Sequence, residues 1–91
     1  MTKAELVFAI SRKTGLEKPD VEVTVEALFD VIKKSLANGK IIYLRGFGNF
    51  QNKKRARRTA RNIKHNTTVI VEAHEYPSFK PSKLFIEELK G

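Results

Sequence analysis

The chain has 91 residues, no cysteine, 41% hydrophobic residues and a formal net charge of +8. That length holds one domain with a small core, and the lack of cysteine excludes a disulfide framework and any thiolate metal site. The charge is concentrated: between Asp30 and Glu72 there is no acidic residue, yet eleven of the 18 Lys and Arg lie there. A one-signed field of this kind recruits a polyanion.

In chain order, Thr2 and Glu5 form a T-x-x-E capping box, in which each side chain satisfies a backbone N–H at the start of a helix. Leu6, Val7, Phe8 and Ile10 follow, and Gly15 stops this first helix. A second helix is predicted from near Glu17, with Pro19 in its first turn and Asp20, Glu22 and Glu26 toward the positive end of its dipole. Its apolar stripe is Val21, Val25, Leu28, Phe29, Ile32 and Leu36, and Asn38-Gly39 ends it. The two make an amphipathic helical hairpin.

From Lys40 the pattern turns to strand: Ile41 to Leu44, a flexible turn at Gly46-Phe47-Gly48, and a second strand from Asn49 to about Ala60. After a polar tip near Asn62 to Thr67, a third strand returns over Thr68 to Glu75. Pro77 and Pro81 bracket Phe79, and Lys83 to Lys90 reads as a short helix. The outer parts of the longer two strands, residues 53–74, have no third strand to cover them, so they form an extended ribbon arm. The fold class is α+β: a helical hairpin, a three-stranded antiparallel sheet with an extended β-ribbon arm, and a short C-terminal helix. It is one domain over 1–91, with 1–52 and 75–91 as a dimerisation body and 53–74 as the arm. With so small a core and six Phe, the surplus of apolar residues argues for an oligomer.

Seven basic residues fall in twelve positions on that ribbon: Lys53, Lys54, Arg55, Arg57, Arg58, Arg61 and Lys64. Charge runs are usually solvated faces, but this one is wholly one-signed on an element with little to bury. Contact with the phosphates of a polyanion is the expected role. Alternation would put Lys53, Arg55 and Arg57 on one side and Lys54 and Arg58 on the other. Asn62 is a candidate either for base edges or for holding the tip turn, and Ile63 is an apolar side chain at a tip that would ordinarily be polar. Lys80 and Lys83, with Lys3, are candidates to extend a phosphate path along the body.

Nothing proposes an enzyme. Ser11, Ser35, Ser78 and Ser82 lack a triad partner, Asp30 has no paired acid or base, and His65 and His74 have no companion at metal-ligand spacing. No catalytic residue, metal, cofactor or small-molecule substrate is expected. No apolar run approaches membrane-spanning length, and the acid-bearing start has no signal-peptide core, so a cytoplasmic protein without a membrane partner is expected.

With this order in place, Gly46-Phe47-Gly48-Asn49-Phe50, Ala56-Arg57-Arg58, Arg61-Asn62 and Pro77-Ser78-Phe79-Lys80-Pro81 resemble the bacterial histone-like HU and integration host factor family. The match covers essentially the whole chain. The resemblance implies an intertwined dimer whose helices form a compact base and whose two arms wrap double-stranded DNA through the minor groove and bend it. It implies DNA condensation in the bacterial nucleoid, by a homodimer or by a heterodimer with a related chain. Phe29, Leu44, Phe47, Phe50 and Phe79 are the residues expected in the dimer core. Members of this family typically carry proline after Arg-Asn at the tip, where it wedges between base pairs; this chain has Ile63, still an apolar wedge. Asn66 falls where the family commonly has a tip glycine, and Asn tolerates positive φ. The competing expectation is an RNA or single-strand binder, disfavoured because residues 51–75 contain no aromatic residue to stack bases.

Overall fold

A computed structural model describes residues 1–62 and 67–91, and divides into units of residues 1–35 and 36–91. In the first unit, α1 spans Lys3–Thr14 and α2 begins at Lys18, running to Ala37. Thr2 caps α1, its hydroxyl accepting from the Glu5 N–H at 3.2 Å. The reciprocal half of the capping box takes another form, since the Glu5 carboxylate accepts from the Thr2 hydroxyl at 3.4 Å. Gly15, at φ 77°, ends the helix and returns its N–H to the Ser11 carbonyl at 2.9 Å. Such left-handed closure is what glycine makes inexpensive.

Val7, Val21 and Val25 are the buried apolar cluster of this unit. The remaining stripe of α2 is only partly covered: Leu28 is 52% and Phe29 37% exposed. Ile10, Leu16, Val21, Thr24, Val25 and Leu28 line a shallow apolar groove. Lys3 pairs with Glu26 across the two helices, and Lys34 with Asp30 at 3.1 Å along α2.

The second unit contains β1 (Ile42–Leu44), β2 (Gly48–Arg55), β3 (Arg58–Asn62), β4 (Thr67–Val71), β5 (His74–Pro81) and α3 (Lys83–Lys90). β1, β2 and β5 form an antiparallel sheet in the order β1-β2-β5, while β3 and β4 form a separate antiparallel pair. Two expectations change here. The strand read as continuous from Asn49 to Ala60 is interrupted at Ala56-Arg57, and its return is interrupted at Glu72-Ala73. The third body strand also runs through both prolines, pairing Pro77 with Asn52 and Pro81 with Gly48. Proline lacks the N–H a ladder needs, and β5 tolerates it as an edge strand.

The glycines of the β1–β2 connection do different jobs. Gly46 has φ 80° in the turn closed by the Phe47 N–H on the Leu44 carbonyl at 2.9 Å. Gly48 is already in β2, where a Cβ would stand 2.5 Å from the Lys80 carbonyl oxygen and 2.6 Å from the Phe79 ring. The close approach lets the aromatic rings gather: Phe79 lies 5.1 Å from Phe47 and 5.0 Å from Phe50, and Phe47 stacks on Phe85 at 5.3 Å. Ser82 joins this cluster to α3. Its N–H donates to the Phe47 carbonyl at 2.9 Å, and its hydroxyl caps the helix by accepting from the Phe85 N–H at 3.2 Å.

Candidate nucleic-acid interface

The β2–β5 register sorts the basic residues by face. Cross-strand partners share a face, and successive residues alternate. The pairs Asn49–Lys80, Gln51–Ser78, Lys53–Tyr76 and Arg55–His74 therefore occupy one side of the sheet, and Tyr43 joins them through its pairing with Asn49. This side carries three cations, several neutral hydrogen-bond donors and no carboxylate. The opposite side carries Phe50–Phe79, Asn52–Pro77 and Lys54–Glu75. Beyond Phe50, β2 has no β1 partner and pairs with β5 alone.

On the acid-free side the Arg55 guanidinium sits 4.6 Å over the Tyr76 ring. The ring face attracts the cation while the charged edge stays available to solvent. On the other side Asn52 anchors the base of the ribbon, its Nδ2 donating to the Leu36 carbonyl at 2.7 Å and reaching Glu75 Oε2 at 3.5 Å. Lys54 thus lies across from a carboxylate, unlike Lys53.

Arg57 departs from the expected alternation. It stands in the interruption between the two sheets, with its Nε 3.5 Å from Glu72 Oε1. His74 Nδ1 lies 3.1 Å from the Glu72 carbonyl oxygen, on the returning side of the same interruption. In the outer pair, Arg58 is in register with Val71 and Arg61 with Thr68. Asn62 ends β3 in register with Thr67. Ile63 and Lys64, with the expected wedge, lie outside the described residues, as do His65 and Asn66.

Of the body lysines, Lys80 shares the face of Lys53 and Arg55, and Lys83 opens α3. Lys3 is engaged by Glu26, whose hydrogen bond and then charge hold its ammonium above the ordinary lysine value. Among the residues expected in a dimer core, Phe47, Phe50 and Phe79 pack together within one chain, yet Phe47 remains 46% and Leu44 38% exposed. Sequence reasoning did not mark Tyr43, Gln51, Tyr76 or Ser78 as companions of the lysines. Only the register reveals them, and alternation through β5 would have been the signal had its prolines not argued against a strand.

A basic β-ribbon that continues an antiparallel sheet beyond its third strand defines a β-arm nucleic-acid-binding protein. The family model for bacterial DNA-binding proteins matches residues 1–90, and the chain belongs to that family. It is 39% identical over 90 residues to DNA-binding protein HU of Thermus thermophilus, covering 99% of this chain and 93% of the relative. It is 43% identical over 90 residues to integration host factor subunit beta of Marinobacter nauticus, covering 98% and 92%. Among solved structures, an Anabaena HU–DNA cocrystal superposes with a TM-score of 0.92 at 32% identity, over 98% of this chain and 97% of the other. HU from Thermotoga maritima gives 0.69 at 26% identity, over 98% of each chain.

Proposed function

We propose that this protein is an architectural, non-enzymatic DNA-binding protein that grips duplex DNA with its basic arm, enters the minor groove and bends the helix, compacting the bacterial nucleoid. The observation that carries this reading is the acid-free sheet face that holds Lys80 of β5 and Lys53 and Arg55 of β2 on one side. The likeness to an HU–DNA cocrystal supports it. Phosphate contacts from this face position the duplex, while this reading assigns Asn62 and Ile63 to the groove and Arg58, Arg61 and Lys64 to further phosphate contacts. Bending costs several kcal/mol of unstacking and deformation, which the added phosphate contacts offset.

The active form in this reading is a dimer with residues 1–52 and 75–91 as its body and 53–74 as its arms. In a single chain, Leu28, Phe29, Val31, Leu44 and Phe47 are left 37–61% exposed, too much apolar surface for so small a core. A second copy would cover it, as would a related chain of the kind that the name integration host factor subunit beta implies for its own complex. An RNA or single-strand role is disfavoured: Tyr76 is the aromatic nearest the arm, and Arg55 covers it.

The test is energy-transfer bending of random and A/T-rich duplexes, with single-stranded DNA and RNA as competitors. Duplexes should win and bend, and for about six to ten phosphate contacts affinity should fall roughly 10³- to 10⁵-fold between 50 and 200 mM salt. Salt-insensitive binding, or preference for single strands, would overturn the reading.

A further inference from the structure

The acid-free window ends at Glu72, and this carboxylate does not point to neutral ground. It stands 3.5 Å from the Arg57 guanidinium, where both strands of the ribbon leave their ladders: Ala56-Arg57 on one side and Glu72-Ala73 on the other. The two carboxylates at the base of the arm are thus treated differently. Glu75 lies on the side opposite Lys53 and Arg55, within reach of the Asn52 amide at 3.5 Å. Glu72 has the Arg57 guanidinium as its ion-pair partner.

We propose that Glu72 is a built-in competitor of DNA phosphate for Arg57, which lowers the affinity of the free arm and is displaced when the duplex seats. This rests on the reading of the arm as a DNA-binding element. The geometry favours a displaceable partner over a positioning one. At 3.5 Å the contact is an ion pair longer than the 2.7–2.9 Å of a charge-assisted hydrogen bond, and both side chains are largely exposed. A phosphate arriving at Arg57 meets a cation that already has a carboxylate partner, and it also meets the Glu72 charge directly. Both effects oppose binding, and both vanish when the carboxylate becomes an amide of the same shape.

The test measures affinity and its salt slope on one duplex for the full-length parent, Glu72→Gln, Glu75→Gln, Arg57→Gln and the Arg57→Gln/Glu72→Gln double variant. Glu75→Gln removes the same charge where it faces Lys54 and the Asn52 amide instead of Arg57, and reports what a lost carboxylate does away from that ion pair. Glu72→Gln is expected to bind up to about five-fold tighter per arm than Glu75→Gln at low salt, the range open to an exposed pair. Its log–log salt slope should change by less than about 0.9 per arm, because Arg57 reaches the same phosphate in both proteins. In the Arg57→Gln background the advantage should disappear. Equal gains from the two Gln variants, a gain that persists without Arg57, or weaker binding by Glu72→Gln would each overturn the proposal while the parent still binds DNA. Failure of the parent to bind duplex DNA would instead bring down the functional reading beneath it.

Discussion

The Arg55 guanidinium carbon lies 4.6 Å from the centroid of the Tyr76 ring, on the same side of the sheet as Lys53 and Lys80. The contact joins β2 to β5 diagonally and holds a long side chain that would otherwise sample many rotamers. An arginine ordered before DNA arrives loses less entropy on binding.

Tyr76→Ala should therefore weaken DNA binding by about two- to five-fold, the equivalent of roughly 0.5–1 kcal/mol for an exposed cation–π contact. Tyr76→Phe keeps the ring face and should bind like the parent. Fluorescence anisotropy on a labelled duplex, with thermal melts to separate affinity from stability, distinguishes the two. Equal losses in both variants would assign the effect to the phenol hydroxyl instead.

Gly48 is fixed by space. With a Cβ 2.5 Å from the Lys80 carbonyl oxygen and 2.6 Å from the Phe79 ring, Gly48→Ala must push β5 away from β2 or displace the aromatic cluster. Overpacking of this kind costs about 1–3 kcal/mol. Urea unfolding should show that loss. Gly46→Ala has open space around it, and any cost there would come from φ 80° alone, about 1–2 kcal/mol.

The helical hairpin, its caps and the charge of the arm were legible because each rests on local chemistry: Thr2 before Glu5, Gly15 after the last apolar turn, lysines and arginines in a run. The family resemblance, read from the Gly46–Phe50 and Pro77–Pro81 segments, agrees with a family match across residues 1–90. What was not legible depends on pairing between distant residues. β5 was hidden because Pro77 and Pro81 argue against a strand until its edge position is known. The alternation assigned to Arg57 failed because it assumed an unbroken ladder, whereas β2 ends at Arg55. Glu72 looked like the mere boundary of a charge run until the fold set it against Arg57.

The Lys3–Glu26 pair predicts a pH dependence at the alkaline end. Its carboxylate raises the Lys3 value above the ordinary 10.5, so the contribution to stability is fully present below 10.5 and is lost as pH rises through the higher folded value. Both side chains are about half exposed, so the effect is small and salt-sensitive. Urea midpoints at pH 9 and 11 should fall slightly more for the parent than for Glu26→Gln. Identical falls at low salt would show that the pair contributes nothing.

In the proposed function, the tip carries the bend. Arg61 and Asn62 close β3, and Ile63 follows where the family resemblance expects an apolar wedge. An isoleucine side chain can enter a base step through shape and dispersion, but it lacks the ring that fixes a proline's backbone. Ile63→Asp would bring a charge to the stacked bases and should abolish most of the bend while phosphate contacts keep part of the affinity. Ile63→Ala should reduce the bend partway, and Ile63→Pro should restore or deepen it. Energy-transfer efficiency on an end-labelled duplex reads all three at saturating protein, so that affinity and bend angle separate. If Ile63→Asp bends DNA as strongly as the parent, the wedge is not at this residue and the bend arises from the arm's phosphate contacts alone.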